Sequence, residues 1–149
     1  MNSWSRAGLA ICGTALLIIT AAAAERKPRW ENFASTYNSQ AFLDRASVVE
    51  SGQVREVRVL RVSARPTADG WSTVHQSVRV DCARQRFTDL GSTIETPDRR
   101  RVTYPATPAY RGPPLPPLFG SLLRAVCTRH KGTAVTDPVA WTRARISAR

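Results

Sequence analysis

The chain has 149 residues, carries 22 Lys+Arg against 11 Asp+Glu for a formal net charge of +11, and is 42% hydrophobic. That length fits one domain and excludes a multidomain machine, while the apolar content excludes an intrinsically disordered chain. With 3 Cys, 2 His and no Cys-x-x-Cys spacing, zinc frameworks and haem attachment are excluded as well, and the sequence asks for no metal or other cofactor.

Residues 1–24 hold one charge, Arg6, then a largely apolar stretch that closes on Ala21-Ala22-Ala23-Ala24 before Glu25-Arg26-Lys27. This pattern predicts a secretory signal peptide cut after Ala24, with Ala22 and Ala24 as the small residues that the peptidase reads. An uncleaved anchor is the alternative, because Ala7 to Ala24 is 18 residues long. Cys12 precedes most of the apolar run and reads as a small hydrophobe rather than a lipid-attachment site. Cleavage removes Arg6 and no acid, leaving +10, no transmembrane segment and two cysteines. In an oxidising compartment Cys82–Cys127 is the only intramolecular bridge available, the alternative being two buried thiols. Its 45-residue separation corresponds to about 4 kcal/mol in the chain-entropy account.

Residues 25–29 read as a flexible lead-in, and the core begins near Trp30 and Phe33. Phe42, Leu43, Val48 and Val49 mark a short extended piece ended by Ser51-Gly52. Val54 to Val62 is rich in β-branched residues and predicts a strand. After a turn at Asp69-Gly70, Trp71 to Cys82 has a period of two: Val74, Val78, Val80 and Cys82 share one face, and Thr73, His75, Ser77, Arg79 and Asp81 the other. The second set suits solvent, which predicts an antiparallel sheet buried on one side only. A turn or bulge near Ala83-Arg84 must reset the register so that Phe87 points inward in a returning strand, Arg86 to Leu90. Ile94 and Val102 to Tyr104 supply one or two further short strands.

Six prolines from Pro105 to Pro117 predict an extended, covering loop. A helix follows, with Leu118, Leu122 and Val126 on one stripe beside Phe119, Leu123 and Cys127. Cys127 on that stripe and Cys82 on the apolar strand face aim at the same core, so the bridge pins the helix onto the sheet. Residues 129–149 read as a basic tail, either packed or mobile, with one helix signal, Asp137 as N-cap, Pro138 at the first position, then Val139, Trp141 and Ile146.

The exported character, the aromatic start, the strand Val57 to Val62, Val78-Arg79-Val80-Asp81-Cys82-Ala83 with arginine-rich hairpin residues, and Leu122-Leu123-Arg124-Ala125-Val126-Cys127 together resemble the surface-adhesin protein E family of Gram-negative bacteria. The similarity spans about residues 30–128. It implies an α+β fold, a single antiparallel β-sheet with a C-terminal α-helix packed on its concave face and tethered by the Cys82–Cys127 disulfide. It also implies a periplasmic or cell-surface location, adhesion to host extracellular-matrix and serum proteins, and a homodimer as the working form.

Catalysis has few candidates. His75, Ser77 and Asp81 share a strand face, but Asp81 lies about 20 Å from His75 along an extended chain, too far for a triad. His130, between Arg129 and Lys131, reads as part of a basic helix terminus. The net charge is the stronger signal, although the ratio of 20 Arg to 2 Lys by itself reflects GC-rich coding. Arg79 on the exposed strand face, Arg84 and Arg86 after the turn, and Arg99, Arg100 and Arg101 in a loop form the candidate ligand-binding set, with dispersed solvated charges as the alternative. An acidic protein, an acidic glycan or a lipopolysaccharide surface suits such a set. Nucleic acid does not, since no paired aromatics form a stacking platform on an exposed strand. The sequence thus reads as a non-enzymatic, adhesin-like envelope protein. A small periplasmic enzyme using His75 and a purely structural envelope protein are the alternatives.

Overall fold

A computed structural model describes residues 26–68, 70–112 and 116–147. The expected signal peptide and the Asp69 side of the expected turn lie outside them. Eight strands form one antiparallel sheet: β1 (Trp30–Ser35), β2 (Ser39–Ser51), β3 (Val54–Ser63), β4 (Thr73–Asp81), β5 (Arg86–Glu95), β6 (Arg101–Tyr104), β7 (Thr107–Arg111) and β8 (Thr133–Val135). Their spatial order is β6-β5-β4-β3-β2-β1-β8, with β7 pairing the same edge of β5 as β6. Two helices complete the fold, α1 (Pro117–Cys127) and α2 (Pro138–Ser147).

The α1 face holds the larger core. Leu43, Val57, Val59, Val78, Val80 and Phe87 pack against Leu122, Ala125 and Val126 of the helix, and Phe119 stacks on Phe87 with ring centroids 3.9 Å apart. The register reset is a turn over residues 82–85, in which Gln85 takes a positive φ of 49°. It turns Phe87 inward opposite Val80, and Arg86 outward opposite Asp81. Cys82 and Cys127 are joined with Cα atoms 5.5 Å apart, fastening the last residue of α1 to the end of β4. Arg45 secures the same helix end, donating to the carbonyls of Ala125 and His130 while its Nε pairs with Glu31 at 2.8 Å.

Three expectations change. The piece around Phe42 is a single 13-residue strand, kept continuous by an irregularity between Asp44 and Val49. The proline-rich segment is not only loop, because Thr107–Arg111 pairs with β5. An edge strand leaves alternate N–H groups unpaired, so it tolerates Pro108. The sheet is not buried on one side only. Phe42 lies opposite Leu60 and Leu43 opposite Val59, and consecutive residues of a strand face opposite ways. Two apolar doublets paired side by side therefore require cover on both faces. Phe42, Leu60 and Val62 receive it from Val135, Val139 and Trp141.

That cover comes from Val135, Val139 and Trp141, so the basic tail, which its sequence leaves free to pack or to stay mobile, packs onto the sheet. β8 pairs with β1 through Trp30↔Val135 and Asn32↔Thr133. Gly132 makes the approach possible, since a Cβ there would meet the Asn32 carbonyl oxygen at 2.1 Å. The Asp137 carboxylate accepts the N–H groups of Val139 and Ala140 at 2.9 and 3.0 Å, capping α2.

Candidate ligand-binding site

Directly paired residues of antiparallel strands share a face, so the register gives the rows of side chains on the face that α2 partly covers. Leu60, Asp44, Thr88 and Asp81 are buried in it, and the others lie exposed or half-buried. The face has four rows. Leu60, His75, Thr93 and Thr103 form the first; Asp44, Arg58, Ser77 and Gly91 the second; Glu56, Arg79 and Thr88 the third; Val54, Asp81 and Arg86 the fourth.

A groove of about 530 Å³ lies over the first two rows, flanked by Pro28 and Trp30 on one side and by Tyr104 to Ala106 on the other. Gly91 lies in its lining, at a break in the pairing. Pairing steps from Ser77↔Gly91 to Val78↔Asp89, leaving Leu90 as the extra residue of a bulge. Gly91 has φ +126°, a conformation L side chains rarely adopt, and its N–H donates to Asp89 Oδ1 at 2.8 Å. The second Asp89 oxygen accepts from Gln76 Nε2 at 2.8 Å and fixes the bulge.

Arg58 is set by a fully buried acid. Asp44 Oδ2 accepts from Arg58 Nη2 at 2.8 Å, and Asp44 Oδ1 accepts the N–H groups of Arg29 and Ala46. The guanidinium is half exposed and lines the groove. Thr93 and Thr103 hydroxyls lie 3.2 Å apart. His75 also lines the groove, and partial loss of water around its ring pushes its pKa below the usual imidazole range; Glu95 opposes that shift and Arg101 adds to it.

Below the groove, Arg79 donates twice to Glu56 Oε1, at 2.8 and 2.6 Å. Arg84 and Arg86 both reach Asp81 Oδ2 at 3.2 Å, and the Arg86 guanidinium lies 4.2 Å from the Tyr110 ring centroid. Burial alone would raise the Asp81 carboxyl, but the backbone N–H and guanidinium of Arg84, with Arg86, outweigh it and hold the pKa below the usual carboxylate range. Glu56 thus fixes Arg79, and Asp81 fixes both Arg84 and Arg86, while all three arginine side chains stay partly exposed.

Arg79, Arg84 and Arg86 therefore gather at one end of the open face. Arg99, Arg100 and Arg101 do not join them. Arg101 pairs with Glu95 at 2.9 Å and Arg100 with Asp98 at 2.6 Å. β5 runs ten residues from Arg86 to Glu95, and its nine steps place this second group about 30 Å away. His75, Ser77 and Asp81 share the face as expected, with the Asp81 carboxylate engaged by arginines rather than by His75. From sequence, Trp30 reads only as the start of the core, and Arg58 and Gly91 are not singled out. An acid directly after an apolar doublet, Phe42-Leu43-Asp44, was the available signal for the buried ion pair.

The chain matches no protein-family model, and neither a curated protein nor a solved structure matches it.

Proposed function

We propose that the chain is an exported, non-enzymatic envelope protein, adhesin-like in the manner of the surface-adhesin protein E family, that holds anionic ligands on the open half of its sheet. The observation that carries this reading is the gathering of Arg79, Arg84 and Arg86 on one exposed corner, each backed by an acid that orients it. Several oriented guanidinium groups acting together bind sulfate, phosphate or carboxylate far better than isolated surface charges do. Export is supported by the leader pattern and by the engagement of both remaining cysteines in a disulfide. Among the described residues no helix is long and apolar enough to cross a membrane.

Heparin binding tests the proposal. Affinity should fall steeply between low and physiological salt, where exposed charges are screened over about 8–10 Å. Changing Arg84 and Arg86 together to Ala should weaken binding more than changing Arg99, Arg100 and Arg101 together. Equal losses would mean that only net charge matters, and no binding at low salt would dispose of the reading. Protease accessibility on intact cells decides between a periplasmic and a surface location.

A further inference from the structure

The groove beside that arginine corner has a chemistry of its own. Its floor is a strip of hydroxyls, Ser77, Thr93 and Thr103, with the His75 imidazole between them. Such a strip donates and accepts in equal measure, which suits a ligand dense in hydroxyl groups rather than a phosphate. One cation, Arg58, lies at the edge, oriented by the buried Asp44. A guanidinium held in place with N–H groups to spare matches one planar carboxylate. Trp30 forms the wall nearest Arg58, and an indole supplies the flat apolar surface that the C–H face of a pyranose ring packs against. The volume of about 530 Å³ lies within the ordinary range for small-ligand sites, about 300–1,000 Å³.

We propose that this groove binds a carboxylated sugar, a short hexuronate-type chain with one residue's ring against Trp30 and its carboxylate on Arg58, and with the hydroxyls of the next residue on Ser77, Thr93 and Thr103. The inference rests on reading the open half of the sheet as a binding surface, and it identifies which anion that surface selects. Gly91 keeps this end of the groove open, since a Cβ there would meet the Tyr104 carbonyl oxygen at 3.4 Å and the Ala106 nitrogen at 3.9 Å, against the groove wall.

The test titrates the mature protein with digalacturonate and with its neutral dimethyl ester, following backbone amide shifts by NMR. Digalacturonate should bind, shifting the amides of Ser77, Gly91, Thr93 and Thr103, and the ester should bind about tenfold more weakly or worse. Thr93→Val with Thr103→Val keeps shape while removing two hydroxyls, and should lower affinity for the acid about tenfold with an unchanged melting temperature. Ser77→Leu, which fills the floor, should abolish binding while the Arg84 and Arg86 amides still respond to heparin. Equal affinity for acid and ester, or shifts mapping outside the groove, would overturn the proposal. Heparin binding without digalacturonate binding would also sink it and leave the arginine-corner reading standing. Digalacturonate binding without heparin binding would do the reverse.

Discussion

Under α1 the sheet offers Leu43, Val57, Val59, Val78, Val80 and Phe87 to one helix, and a disulfide fastens that helix at its last residue. On the other side α2 covers only Phe42, Leu60 and Val62, and β4 to β6 are left with hydroxyls, a histidine and ion-paired arginines. The same strands build both surfaces, since alternation sends each neighbour to the opposite side. One face is thus free to carry stability while half of the other carries polar groups that a core would exclude. A polar half-face is affordable in a small domain only when the opposite face is packed and cross-linked.

Releasing α1 is the most severe way to break this division. Cys127→Ser should cost about 4 kcal/mol, read as a fall in the denaturation midpoint, and should expose the α1 face to a hydrophobic dye. An unchanged midpoint would show that Leu122, Ala125 and Val126 hold the helix without the bridge. Truncations within the helices sharpen the contrast. Leu122 is 2% exposed at the centre of α1, and Leu122→Ala should cost about 3 kcal/mol. Val139 only edges the smaller cluster, so Val139→Ala should cost about 1 kcal/mol. Equal costs would mean that the two faces share stability evenly.

Removing the α2 cap is milder still. Asp137→Ala deprives the Val139 and Ala140 N–H groups of their acceptor and should cost about 1 kcal/mol. The loss should appear as faster amide exchange in α2 with α1 unaffected. If α1 loosens too, the faces are coupled through the sheet.

Much of the α1 face was legible because β4 and α1 each carry one clean signal. The period of two from Val74 to Cys82 places Val78, Val80 and Cys82, and the helical stripe places Leu122, Val126 and Cys127, with no long-range information needed. The α2 face was harder for a physical reason. Phe42-Leu43 and Val59-Leu60 break the alternation in two strands, and a break in a single strand reads as noise. Only their pairing, Phe42↔Leu60 and Leu43↔Val59, turns two irregularities into a doubly buried centre. The groove depended on more such pairings. Ser77, Gly91 and Thr103 lie far apart in sequence and meet through register and a bulge, and Arg58 is oriented by a residue from the neighbouring strand. The arginine set divided for the same reason, because sequence gives proximity along the chain but not which end of a long strand a loop returns to.

The least disruptive test acts where the two faces meet. Asp81 and Cys82 end β4 as neighbours, one turned to the arginine corner and the other to the disulfide. Asp81 is buried, and its pKa lies below the ordinary carboxylate range because the donors from Arg84 and Arg86 outweigh the cost of burial. A carboxyl whose folded pKa is depressed stabilises the fold fully above its unfolded value and loses that contribution as pH falls through the folded one. Asp81→Asn should therefore lower the melting temperature at pH 7, and the gap from the wild type should close as pH drops below about 4. The disulfide keeps α1 in place throughout, so the change should stay confined to the turn at 82–85 and the Arg84 and Arg86 side chains. No gap at pH 7 would mean that Asp81 acts through its shape, which Asn keeps, rather than its charge, and that the arginine corner is held by packing against Tyr110 instead.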